Sequence, residues 1–163
     1  MELVDNIKVS IPAAAITTDI IVGFPGETED DFLQTVDLVE KVRFDSAFSF
    51  IYSPREKTKA AQFEDRLSYR EKEQRLHYLN KIQQQISTEK NELLLNTIQE
   101  VLVEGPSKNN PDLQSGRTRT NKLVHFSGNC DLTGTLQQVK VTKARTWDFF
   151  GELVRTPFKG DLV

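Results

Sequence analysis

The chain has 163 residues, 37% hydrophobic and 28% charged, with a formal net charge of −3, a length that suits one domain or two small ones. A single cysteine excludes an internal disulfide, and the sequence holds neither a secretory signal nor an apolar run long enough to span a bilayer. The expectation is a soluble, cytoplasmic protein with no membrane partner.

Leu3, Ile7 and Ile11 recur at a spacing of four and read as the end of a helix whose earlier part would precede the chain. Residues 18–28, TDIIVGFPGET, come next. Ile20, Ile21 and Val22 are β-branched and bounded by turn residues, which fits a strand buried on both faces, as in a parallel sheet. Gly23 and Gly26 permit backbone angles closed to other residues, and Pro25 stiffens the turn between them. Thr28 is placed to cap a helix that carries Glu29, Asp30 and Asp31 at the positive end of its dipole. Phe32, Val36 and Val39, with the stem of Arg43, form its apolar stripe. Residues 47–52, AFSFIY, read as the next strand and complete a βαβ unit.

The glycine turn is not a Walker loop, because two residues rather than four separate Gly23 from Gly26 and Glu27 rather than Lys precedes Thr28. The three-glycine dinucleotide fingerprint is absent as well. The same residues would suit a tight strand-to-helix connection with no ligand. Parallel-sheet enzymes do, however, bind ligands beyond the carboxyl ends of their strands, where residues 23–27 fall.

Residues 68–96 contain no Pro or Gly and predict a long helix, opened by a Ser68–Glu71 capping box. Leu76, Leu79, Ile82, Ile86 and Leu93 give one apolar stripe for packing on the preceding layer. A coiled-coil dimer is the competing reading of that stripe. His77 falls on the solvent side.

From residue 97 the period changes to two, with candidate strands at 98–103, 117–126 and 135–141 separated by polar turns. Charge changes there too. Residues 1–94 hold 12 basic and 17 acidic side chains, whereas 95–163 hold 9 and 7. A two-part chain follows, 1–96 and 97–163, in which the second part is a small antiparallel β-barrel with a basic surface. Arg117, Arg119 and Lys122 fall on one candidate strand and Lys140, Lys143 and Arg145 on another. If those strands pair, the cations share a face on which a nucleic acid would release counterions. Trp147 and Phe126 are candidates for base stacking, with a core role as the alternative for Trp147. Phe149 and Phe150 read as core.

The segments ITTDIIVGFPGETEDDF and VEKVRFDSAFSFIYSPR resemble the radical-SAM methylthiotransferases that act on tRNA, the MiaB type. With VLVEGPSKNNPDLQSGRTRTNKLVHF and WDFFGELV the resemblance extends over nearly all of the chain from about Leu3. It implies the last βα elements of a partial (β/α) radical-SAM barrel, a connecting helix and an OB-like β-barrel similar to a TRAM domain. Asp19, Ile21, Gly23, Phe24, Pro25 and Glu27 occupy the positions that line the S-adenosylmethionine site in that family, and none of them is implied as catalytic. Arg117, Arg119 and Lys122 lie in the part that resembles the RNA-binding module. The implied reaction is methylthiolation of an N6-modified adenosine beside the anticodon, with the tRNA anticodon stem-loop as partner.

The family holds 4Fe-4S clusters through cysteines that include a C-x-x-x-C-x-x-C triplet, and this chain has only Cys130, in a polar loop. No cluster, metal or S-adenosylmethionine is therefore expected on this chain alone, and it is expected to be inactive without the N-terminal part of such an enzyme. After YSPR the family continues with Pro, Gly, Thr and Pro, whereas Glu56, Lys57, Thr58 and Lys59 stand here, giving a more polar and less rigid loop. Arg55 beside it is a candidate for contact with substrate or a carboxylate. A C-terminal fragment of such an enzyme is the leading reading. A stand-alone RNA-binding adaptor, or one subunit of a split enzyme, remains open.

Overall fold

A computed structural model describes residues 1–128 and 131–154, so Cys130 lies outside the described residues. The chain divides into two compact units, Met1–Ser87 and Thr88–Val163.

The first unit opens with helix α1 (Glu2–Ser10), strand β1 (Thr17–Val22), helix α2 (Glu29–Val42) and strand β2 (Ser46–Ile51). β1 and β2 pair in parallel from Thr17↔Ser46 to Val22↔Ile51, with α2 as the crossover. Thr28 starts α2 through a reciprocal cap: the Asp31 amide donates to the Thr28 hydroxyl at 3.1 Å, and the Thr28 amide donates to the Asp31 carboxylate at 2.9 Å. Helix α3 (Tyr69–Glu92) repeats the device, its Ser68 amide donating to Glu71 at 2.8 Å. A 3₁₀ turn at Ala60–Gln62 lies between β2 and α3.

The core of this unit joins Val22, Phe32, Val36, Val39, Val42, Phe44, Leu79 and Ile86. Val42 fills the place expected for the Arg43 stem, because Arg43 caps α2 in the left-handed region at φ 55° and is exposed. The expected burial of β1 on both faces is corrected. Ile20, Val22 and Ile51 face the helices, whereas Ile21, Phe48 and Phe50 are each more than half exposed on the opposite face. In α1 the inward residue is Val4, not Leu3 or Ile11, which are exposed.

On α3, Leu79 and Ile86 are buried in the unit's own core, which leaves no seam of these residues for a coiled-coil partner. The helix ends at Glu92, with Asn96 in the left-handed region at φ 64°, so Leu93 lies beyond it and is 79% exposed rather than part of the stripe.

The second unit is a closed barrel of β3 (Ile98–Pro106), β4 (Leu113–Thr118), β5 (Leu123–Ser127), β6 (Leu136–Ala144) and β7 (Asp148–Leu153), in the order β3-β4-β5-β7-β6. It is not wholly antiparallel, since β5 and β7 pair in parallel. A ring of five strands cannot alternate direction all the way round, so one parallel pair is unavoidable. The core is Val101, Val103, Val124, Phe126, Val139, Val141 and Phe149. Phe126 is thus core and not a stacking surface. Phe150, read as core, instead stands half-buried on the outer side.

The strand expected at 117–126 is two strands joined by a turn, in which the Asn121 amide donates to the Thr118 carbonyl at 2.9 Å and Asn121 adopts φ 61°. Asparagine tolerates that region better than other non-glycine residues. β4 and β6 do not pair; β3 runs between them. Gly116 and Gly151 permit the closest approaches in the barrel: a Cβ at Gly116 would meet the Leu102 carbonyl, and one at Gly151 the Lys140 carbonyl.

Gly116→Ala and Gly151→Ala are each expected to overpack the barrel by about 1–3 kcal/mol, lowering its thermal midpoint by about 5–15 °C in circular dichroism; an unchanged midpoint would refute the close approach. The caps also carry a pH signature. Hydrogen bonds from Thr28 hold the Asp31 carboxyl below the ordinary 3.8, and those from Ser68 hold Glu71 below 4.5. Their contribution is fully present above those values and is lost as pH falls through the lower, folded-state values. NMR titration of the two carboxyls is expected to place both midpoints low, returning toward ordinary values in Thr28→Ala and Ser68→Ala.

Candidate functional site

The strand-to-helix turn of the first unit is closed by its own residues. Gly23 and Gly26 have φ of 68° and 89°, and the Gly23 amide donates to Glu27 Oε2 at 3.0 Å. The other Glu27 oxygen accepts from Arg75 Nη1 at 2.5 Å, and Arg75 Nη2 donates to Glu29 at 2.9 Å. Arg75 also lies 5.3 Å from the Phe32 ring centre. One turn earlier on α3, Lys72 Nζ donates to Asp65 at 2.5 Å, and its stem lies where a Gly23 Cβ would be. Pro25 is buried, and Phe24 packs edge-on against Tyr52 with ring centres 5.0 Å apart. Glu27 is therefore engaged within the turn, with its side chain 12% exposed.

Asp19 and Ile21 stand on the open face of the sheet, opposite Phe48 and Phe50 in register. Beyond the carboxyl ends of the strands lies a mainly apolar pocket of about 470 Å³, lined by Ile21, Phe50, Tyr52, Ser53, Arg55 and Thr58 among others. The Tyr52 hydroxyl is buried without a hydrogen-bond partner. The Glu56–Lys59 loop is more ordered than its composition implies, because the Thr58 hydroxyl donates to the Arg55 carbonyl at 2.8 Å and accepts from the Ala61 amide at 3.3 Å. Ile21 and Arg55 thus meet in one pocket, while Gly23 and Glu27 face the α3 clamp. The pocket joins an apolar wall to one guanidinium, a lining that suits a ligand with an apolar body and an anionic group. A 4Fe-4S cluster does not fit: the chain has one cysteine, and no group of three His, Cys, Asp or Glu that could hold a metal ion occurs among the described residues.

In the barrel the basic residues fall into two sets. Arg117 on β4 lies 3.7 Å from Glu104, and Arg119, in the turn after β4, pairs with Glu100 at 2.7 Å. Lys122 donates to Asn91 at 2.7 Å. Arg117, Arg119 and Lys122 therefore do not form one strand face, and β3 supplies acids that offset the two arginines. Lys140 and Lys143 stand exposed on β6 and Arg145 just beyond it, and among the described residues none of the three has a carboxylate within ion-pair distance. Trp147, at the tip of the β6–β7 hairpin, is 64% exposed, which rules out a core role. In the first unit the α3 clamp escaped sequence reasoning: Lys72 and Arg75 lie seven and four residues before Leu79, on the inward stripe, and that spacing was the available signal.

Removing the Arg75 guanidinium leaves the Glu27 carboxylate nearly buried and unpaired. Arg75→Ala is expected to cost about 3 kcal/mol in denaturant unfolding, and Glu29→Gln, whose side chain is 67% exposed, under about 1 kcal/mol; equal effects would deny Glu27 its role as the principal partner.

Residues 92–154 match the TRAM domain family. Nearly the whole chain is similar to proteins named tRNA-2-methylthio-N(6)-dimethylallyladenosine synthase. That of Syntrophomonas wolfei is 54% identical over 153 residues, which is 94% of this chain and 34% of the relative. That of Moorella thermoacetica is 53% identical over 94% of this chain and 35% of the relative, and that of Bacillus mycoides 50% identical over 98% and 31%. The chain spans about one third of the length of the curated relatives it matches. Almost the whole chain is thus similar to about one third of each of these tRNA-2-methylthio-N(6)-dimethylallyladenosine synthases, and its residues 92–154 match the TRAM domain family.

Proposed function

We propose that this chain is the C-terminal portion of a cytoplasmic tRNA methylthiotransferase, in which the barrel binds tRNA and the first unit supplies one wall of the S-adenosylmethionine site. The observation that carries the RNA role is the set of exposed cations Lys140, Lys143 and Arg145, which among the described residues form no ion pair with a carboxylate, on a TRAM barrel whose overall chain is acidic. Exposed cations that are not held in an ion pair can turn to phosphates and release counterions. The anticodon stem-loop, with its N6-modified adenosine, is the partner this reading assigns.

In the first unit, β1, α2 and β2 would be the last βα elements of a radical-SAM barrel. The apolar face of Ile21, Phe48 and Phe50 supports that placement, since a third parallel strand and further barrel wall would cover it. It also favours a chain completed by other barrel elements over an adaptor acting alone. In this reading Ile21 and Arg55 line the ligand side, Arg55 suiting a carboxylate, and the Arg75–Glu27 clamp holds the turn that shapes the pocket rim. S-adenosylmethionine and 4Fe-4S clusters would supply the radical chemistry in the intact enzyme.

Binding of a labelled anticodon stem-loop to the chain is expected to weaken steeply with salt. Lys140→Ala with Lys143→Ala is expected to reduce the salt slope by about 2, whereas Arg117→Ala with Arg119→Ala changes it by less than about 1 because both arginines are already paired. Affinity indifferent to salt and to both pairs of substitutions would sink the proposed surface.

A further inference from the structure

The hairpin between β6 and β7 is built with more care than its length requires. The Arg145 amide donates to the Asp148 carbonyl at 2.9 Å and closes the turn. Asn91, 3% exposed, donates from Nδ2 to the carbonyls of Arg145 at 2.8 Å and Thr146 at 3.1 Å, and the Thr88 and Thr146 hydroxyls meet at 2.9 Å. The Asn91 amide oxygen accepts from Lys122, so every polar atom of that side chain is committed. The residue between the pinned Thr146 and the closing Asp148 is Trp147, held with most of its surface in water although the barrel core is complete without it.

Beside it, the Arg145 guanidinium lies 4.7 Å from the Phe150 ring centre, and Phe150 lies 5.3 Å from His125. His125 is buried, approaches Asp148 at 3.6 Å through Nε2, and leaves Nδ1 without a hydrogen-bond partner. This stack flattens Arg145 against an aromatic face and leaves the residue exposed to solvent. Two planar groups, an indole and a guanidinium, are thus presented two residues apart on one fixed turn. A turn whose backbone is fixed before binding loses little conformational entropy when a flat ligand arrives on its side chains.

We propose that this hairpin is a stacking site for an unpaired RNA base, with Trp147 as the platform and Asn91 as the positioning residue that orients it. The inference rests on the RNA reading above and narrows it: a base inside a duplex already has both faces covered, so the hairpin selects loops and single strands over paired RNA.

Trp147 is the only tryptophan of the chain, so its emission reports this site alone. The full chain would be titrated with two labelled RNAs carrying equal numbers of phosphates, a hairpin with an unpaired loop and a blunt duplex, following emission and anisotropy together. The expected result is saturable quenching by the loop RNA only. Trp147→Ala weakens loop RNA about tenfold and duplex less than about twofold, Trp147→Phe restores most of the loss, and Asn91→Ala lowers the loop-to-duplex preference. Binding without quenching, or Trp147→Ala weakening both RNAs equally, overturns the stacking site and leaves the RNA reading standing. No anisotropy change with either RNA at low salt overturns both.

Discussion

Two cations on α3, Lys72 and Arg75, are buried at the point where that helix crosses the strand-to-helix turn. A charge removed from water must find an opposite charge or leave the fold unstable, so their partners dictate local geometry. Arg75 takes one Glu27 oxygen, which leaves the other to receive the Gly23 amide and close the turn between strand and helix. Lys72 occupies the volume that a side chain at position 23 would need. The entry of α2 through Thr28, the parallel register of β1 and β2, and the pocket at the strand ends all follow from a turn held in this way.

In the barrel the governing constraint is parity. Five strands in a closed ring must include a parallel pair, and the order that results puts β3 between β4 and β6. Because β3 carries Glu100 and Glu104 outward, the arginines after and on β4 are drawn into ion pairs, and the open positive charge moves to β6 and its hairpin. The positive surface is thus decided by strand order rather than by the local density of basic residues.

The parts legible in the sequence were those set by neighbours along the chain. The strand at Ile20–Val22, the Thr28 and Ser68 caps and the stripe of Phe32, Val36 and Val39 each depend on residues within a few positions, and all form as elements, although the strand is buried on one face rather than two. What escaped were features set across the chain. The 117–126 stretch alternates cations with threonines like a strand, yet Asn121 accepts a left-handed turn that the barrel needs there. Phe126 departs from its expected exposure because it lies on the inner side of β5, whereas Trp147 stands exposed on its hairpin as a stacking residue would. Asn91 gave no signal at all, since a polar residue near a helix end is ordinarily solvent-facing.

The sheet of the first unit has only two strands, and among the described residues each pairs along one side alone. Each therefore keeps a row of amides and carbonyls without ladder partners, next to the apolar face of Ile21, Phe48 and Phe50. A bare parallel edge accepts any strand of suitable length, including the same edge of another copy. The geometry that would let a native neighbour complete the sheet is thus also the one through which strand addition between copies would begin.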